Sequence, residues 1–141
     1  MCYTNRCYLQ TPHILFGWKK EMSIKDNLKR GTIEMILLSL LEQEDKYGYQ
    51  LSQDLEKQSD GEYQINEATM YPTLYRLKKN GYLEEHKVNV VGKRFRVYYH
   101  LSEAGKLYLD ETRKEYHNVC AAIEKVLSYP RRHDKKPKDE Q

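Results

Sequence analysis

The chain has 141 residues, 39% of them hydrophobic and 32% charged, which suits one domain with a small core and a large solvated surface. Its formal net charge is only +3, so bulk charge does not select nucleic acid as a partner, and only the distribution of charge can. No run of eighteen apolar residues occurs, so no membrane-spanning helix and no membrane partner is expected, and three cysteines (Cys2, Cys7 and Cys120) are an odd number that makes no disulfide framework and points to a reducing, cytoplasmic setting.

Residues 1–21 show no usable periodicity. Their apolar stretch, Ile14 to Trp18, lacks the charged start, long apolar centre and cleavage site of a signal peptide. We expect a disordered extension there, or translation that begins at Met22. The first clear element is "KRGTIEMILLSLLEQ", a helix apolar nearly all round through Ile33, Met35, Ile36, Leu37, Leu38, Leu40 and Leu41. A helix apolar on every side is buried on more than one side. In so short a chain this implies contact with its own domain and with a partner.

"YGYQLSQDLEKQS" reads as a second helix, in which Tyr47, Leu51 and Leu55 repeat at four and Gly48 lets another helix approach closely. "DGEY" breaks it. A third helix follows in "ATMYPTLYRLKKNG", with Asn66 as N-cap and Gly81 as the stop. "YLEEHKV", "NVVGK" and "RFRVYYHL" form a β-hairpin: Phe95, Val97, Tyr99 and Leu101 alternate with Arg94, Arg96, Tyr98 and His100, and Gly92 marks the turn. Ser102 caps a long helix running to about Leu127. The charged tail after it is expected to be disordered.

The predicted fold is therefore mainly α with a small β-hairpin. A winged helix-turn-helix domain spans residues 22–101, a dimerisation helix 102–128 and a tail 129–141.

On the third helix Met70, Leu74 and Leu77 take the apolar face, which sends Thr69, Thr73, Arg76 and Lys79 or Asn80 outward and leaves Tyr71 and Tyr75 at the boundary. Hydroxyls, backbone N–H groups and cations near a helix start suit DNA phosphates, and arginine also reads guanine edges. Pro72 lies within this helix, where it either tilts the first turn or packs on the second helix. From Arg76 to Arg96 seven basic residues oppose only Glu84 and Glu85, so the segment carries +5 and the remainder −2. That concentration marks the hairpin as a wing that grips backbone, through Lys93, Arg94 and Arg96.

Along the last helix Leu109, Thr112, Tyr116, Val119, Ile123 and Val126 follow three-four spacing, a seam that one winged domain cannot cover. A second copy can. The expected dimer interface comprises Ile33, Ile36 and Leu37 of the first helix with Leu109, Tyr116, Val119, Cys120, Ile123 and Val126.

Leu38 onward resembles the PadR family of bacterial transcriptional regulators. The likeness lies in "YGYQL", "ATMYPTLYRLKKNGYLEE", "GKRFRVYYHLSEAG" and the closing helix, and covers residues 28–127. The resemblance implies a homodimer that binds a palindromic operator on double-stranded DNA, usually as a repressor. The third helix would enter the major groove, the hairpin would touch backbone or minor groove, and the single closing helix is that of the short subfamily. Relatives also imply a small aromatic effector at the dimer interface. The only Trp, Trp18, lies outside the matched region, so Tyr108 or Tyr116 would have to stack on it here.

Two other classes are open. His117, Cys120 and Glu124 at i, i+3 and i+7 have ligand chemistry, which makes a metal-responsive regulator the alternative, although an interface cysteine beside a surface histidine is the plainer reading and no cofactor is expected. A dimerisation module that never meets DNA would not need the basic, alternating hairpin. No Gly-rich phosphate loop, nucleophile elbow or paired metal-ligand motif suggests an enzyme.

Overall fold

A computed structural model describes residues 23–92 and 94–130, so the expected extension and most of the expected tail lie outside it. In chain order the elements are α1 (Ile24–Gln43), β1 (Lys46–Tyr47), α2 (Gly48–Gln58), α3 (Glu67–Lys79), β2 (Leu83–Val90), β3 (Arg94–Leu101) and α4 (Glu103–Leu127). Three helices, a hairpin and a closing helix make the predicted winged helix-turn-helix.

α1 begins earlier than its apolar run suggests. Ser23 accepts from the Asp26 amide at 3.1 Å while Asp26 reaches back to the Ser23 amide at 3.2 Å, a capping box that starts the helix on polar residues. The core gathers around the α1 residues Ile33, Met35, Leu37, Leu38, Leu40 and Leu41, against which Leu51 and Leu55 of α2, Met70, Leu74 and Leu77 of α3, Leu83, Tyr99 and Leu101 of the hairpin and Leu109 of α4 close. The all-round apolar character of α1 is thus used within one chain. Ile33 and Leu37, expected at a dimer interface, are buried in the core of the single chain, and Leu109 is fully buried by its own domain. Ile36 is half-buried.

The expected hairpin forms, with Leu83 opposite Leu101 and Val90 opposite Arg94. Gly92 takes φ +88° in the turn, a conformation that side chains resist. Only the base of the hairpin is packed: Leu83, Tyr99 and Leu101 are buried, whereas Phe95 and Val91 near the tip are exposed. β1, which periodicity hides, pairs Lys46 with Tyr99 and Tyr47 with Tyr98 and completes a three-stranded sheet in the order β1-β3-β2. Tyr47 therefore belongs to a strand and not to the second helix.

Lys46 is buried on this strand. Its Nζ donates to Glu44 Oε1 at 2.6 Å and meets Asp54 Oδ2 at 2.7 Å, tying β1 to α2. Burial alone would lower the Lys46 pKa, but the hydrogen bonds and charges of Asp54 and Glu44 outweigh it and raise it. A raised cation pKa adds stability that is complete below the unfolded value and disappears as pH climbs through the folded one. Lys46→Met should therefore cost about 1–2 kcal/mol at neutral pH, since both carboxylates can rehydrate. Urea melts should show the gap between wild type and variant closing above roughly pH 10. A pH-independent gap would deny the charge pair its role.

Candidate nucleic-acid interface

α3 starts where Asn66 Oδ1 accepts from the Thr69 amide at 2.9 Å. It stops in a Schellman turn: the Tyr82 amide donates to the Leu77 carbonyl at 3.0 Å and the Gly81 amide to the Lys78 carbonyl at 2.9 Å, with Gly81 at φ +80°. The helix carries Glu67 in its first turn and Arg76, Lys78 and Lys79 in its last, as the helix dipole favours.

Ala68, Pro72, Tyr75 and Lys79 lie at i, i+4, i+7 and i+11 and are all exposed, so they form the outermost stripe. Tyr75 is therefore more than a boundary residue, at 67% exposure. Pro72 sits mid-stripe and is exposed, so the helical bond it removes falls on the solvent side. Its neighbour Tyr71 packs instead. A Cβ on Gly48 would meet the Tyr71 hydroxyl oxygen at 2.5 Å, so Gly48 is what lets that ring lie on the start of α2.

Two expected contact residues, Thr73 and Arg76, are placed differently from the simple helical wheel, and a third cation of the helix, Lys78, is also engaged. Thr73 is buried, and its hydroxyl donates to the Thr69 carbonyl at 2.8 Å, so it presents nothing outward. Arg76 is directed to α1, where its Nη2 and Nε lie 2.6 and 2.7 Å from Glu34 Oε1. Lys78 pairs with Glu85 of β2. Thr69, Tyr75 and Lys79 remain exposed, and the Lys79 and Tyr75 side chains have no partner among the described residues.

Beside α3 an open groove of about 460 Å3 runs toward α1, lined by Thr69, Pro72 and Arg76 on one side and by Lys29 and Arg30 on the other. Lys29 and Arg30 carry no sequence signal beyond a basic pair ahead of an apolar helix, and only the packing brings them to α3. On the wing, Arg94 is exposed and unpartnered among the described residues, and the Arg96 guanidinium lies 4.6 Å over the Tyr47 ring. Lys93 lies outside the described residues. Asp45 holds His100 Nδ1 at 2.7 Å and faces His86 Nε2 at 3.7 Å on the outer side of the sheet.

α4 is anchored at its start and free at its end. Ser102 accepts from the Gly105 amide at 3.0 Å and donates to the Gly81 carbonyl at 2.6 Å. Arg113 bridges to Glu42 of α1 at 2.6 Å. Tyr108 stacks on Tyr82 with ring centres 4.2 Å apart and planes within 4°, and its hydroxyl donates to Glu34 Oε2 at 3.0 Å. Burial first, then the hydrogen bond and charge of Glu34, raise the Tyr108 pKa. Tyr108 is therefore committed within its own chain, while Tyr116 is exposed. Beyond Arg113 no residue of α4 is buried; Val119, Ile123 and Val126 face solvent, with Cys120 half-exposed. Among the described residues no three His, Cys, Asp or Glu side chains converge to hold a metal, and His117, Cys120 and Glu124 do not do so within one chain.

Residues 37–111, more than half of the chain, match the transcriptional regulator PadR-like family. The chain belongs to that family. An uncharacterised protein of Lysinibacillus sphaericus is 34% identical over 101 residues, covering 72% of this chain and 93% of its own. Among solved structures, a transcriptional regulator from Clostridium thermocellum superposes with a TM-score of 0.67 at 32% identity, over 70% of this chain and 96% of the other. A PadR family transcriptional regulator from Eggerthella lenta does so with a TM-score of 0.66 at 34% identity, over 74% and 88%. Membership in the PadR-like family makes this a DNA-binding transcriptional regulator on a winged helix, and it sets aside the module that never meets DNA. No helix among the described residues is long and apolar enough to cross a membrane.

Proposed function

We propose that the protein binds a two-fold symmetric operator as a homodimer and represses from it. α3 supplies base contacts from Thr69, Tyr75 and Lys79, with Tyr71 at its flank. Lys93, Arg94 and Arg96 grip phosphates from the wing, and Lys29 and Arg30 grip them from the groove. The single observation carrying this reading is the α3 stripe, where an exposed tyrosine and a lysine unpartnered among the described residues stand opposite the buried face of Met70, Leu74 and Leu77. Release by a small flat effector completes the reading and rests on the family resemblance. Arg76 stands apart, because Glu34 already holds it.

Phosphate contacts give salt-dependent affinity on any sequence, and base contacts give discrimination. A duplex enriched by the protein from a random pool serves as the selected site. Arg94→Ala should weaken binding to selected and random duplexes alike and reduce the salt slope by about one unit per site contacted. Tyr75→Ala should cost about 1–3 kcal/mol on the selected duplex and much less on random DNA. Salt series of binding isotherms on both duplexes measure this. Folded variants that bind both duplexes like wild type would show that α3 and the hairpin are not the DNA-binding surface.

A further inference from the structure

We infer that Glu34 is a positioning residue that withholds Arg76 from DNA, and so limits the protein's sequence-independent affinity. The inference rests on the DNA-binding reading above. Arg76 is a long cation in the last turn of α3, with Lys29 and Arg30 across the groove it lines. Left free, it would reach a phosphate as readily as Lys79. It is not free: Nε and Nη2 both close on one oxygen of Glu34, at 2.7 and 2.6 Å.

The carboxylate cannot easily follow the arginine outward. Its other oxygen accepts from the Tyr108 hydroxyl at 3.0 Å. Tyr108 is itself clamped by the parallel ring of Tyr82, which the Schellman turn fixes at the end of α3. Glu34 is thus held from two helices, and its side chain is only 27% exposed. An exposed ion pair alone would exchange partners with phosphate at little cost. A carboxylate fixed by a second hydrogen bond from a half-buried phenol is a stronger competitor. Every phosphate contact raises affinity on all sequences without discriminating among them, so a masked arginine leaves α3 to act through Tyr75 and Lys79.

Glu34→Gln tests this, because the amide keeps an oxygen for Tyr108 and removes the charge that holds Arg76. Binding to a random-sequence duplex should tighten roughly tenfold near 0.1 M salt, and the salt slope should steepen by about 0.9 per arginine released. Glu34→Gln combined with Arg76→Ala should return both values to wild type. Arg76→Ala alone should change neither, which tests the masking even if the glutamine variant folds poorly. A folded Glu34→Gln protein with unchanged or weaker binding overturns the inference. So does a gain that survives in the double variant, which would mark general charge removal, and so does a flattened slope in Arg76→Ala alone. In each of these cases wild type still binds the duplex and the DNA-binding reading stands. A wild-type protein that binds neither random nor enriched duplex overturns that reading, and the inference with it.

Discussion

Gly105→Ala should lower the melting temperature by roughly 10 °C, the equivalent of about 2–3 kcal/mol for a domain of this size. Gly31→Ala should raise it by a few degrees. Both glycines lie in helices, so intrinsic propensity favours alanine at each by about 0.5–1 kcal/mol. Their surroundings differ. At Gly31 an added Cβ meets nothing within 4 Å. At Gly105 it would stand 2.7 Å from Leu101 Cδ1 and closer still to the Tyr82 carbonyl oxygen. That oxygen already accepts from the Ser102 amide at 3.1 Å, so it cannot yield without loosening the join between α3 and α4. Parallel calorimetric melts decide it, and two shifts of the same sign would refute the close approach. Because Tyr82 and Tyr108 lie across the same join, DNA affinity should fall with Gly105→Ala even where the protein remains folded.

Changing Val119 and Ile123 together to Asp should halve the sedimenting mass and cut affinity for the enriched duplex at least about a hundredfold, since two linked half-site contacts become one. The motive is the free half of α4. Val119 is 57% and Ile123 47% exposed in the single chain, on a stretch of helix roughly 20 Å long that nothing among the described residues covers. Carboxylates there would be buried unpaired by a partner helix but would be harmless in a monomer. The winged domain should therefore still melt cooperatively. A double variant that sediments like wild type would remove this face from the interface.

The order of elements was legible because each announces itself locally. Asn66, Gly81, Gly92 and Ser102 are caps and turns whose conformations need those side chains or their absence, and all four act as their positions suggest. The basic hairpin and the α3 register were legible for the same reason: periods of two and 3.6 fix which residues share a face. β1 was not legible. Two residues have no period, and Lys46 reads as a surface residue until Asp54 and Glu44 converge on it.

What the sequence determined by itself is the winged helix and the apolar face of α3, Met70, Leu74 and Leu77, because these follow from spacing along one segment, while the family is carried by the resemblance of its motifs. What tertiary structure alone decided is which of the candidate residues are available. Ile33, Leu37 and Leu109 are spent on the core of one chain, and Thr73 is closed by its own helix. Arg76 is claimed by a glutamate 42 positions away, and Tyr108 by the same carboxylate at a separation of 74. A helical wheel gives the direction in which a side chain leaves its own axis; it carries nothing about the charge waiting on the neighbouring helix, and in this protein that charge is the Glu34 carboxylate that holds Arg76.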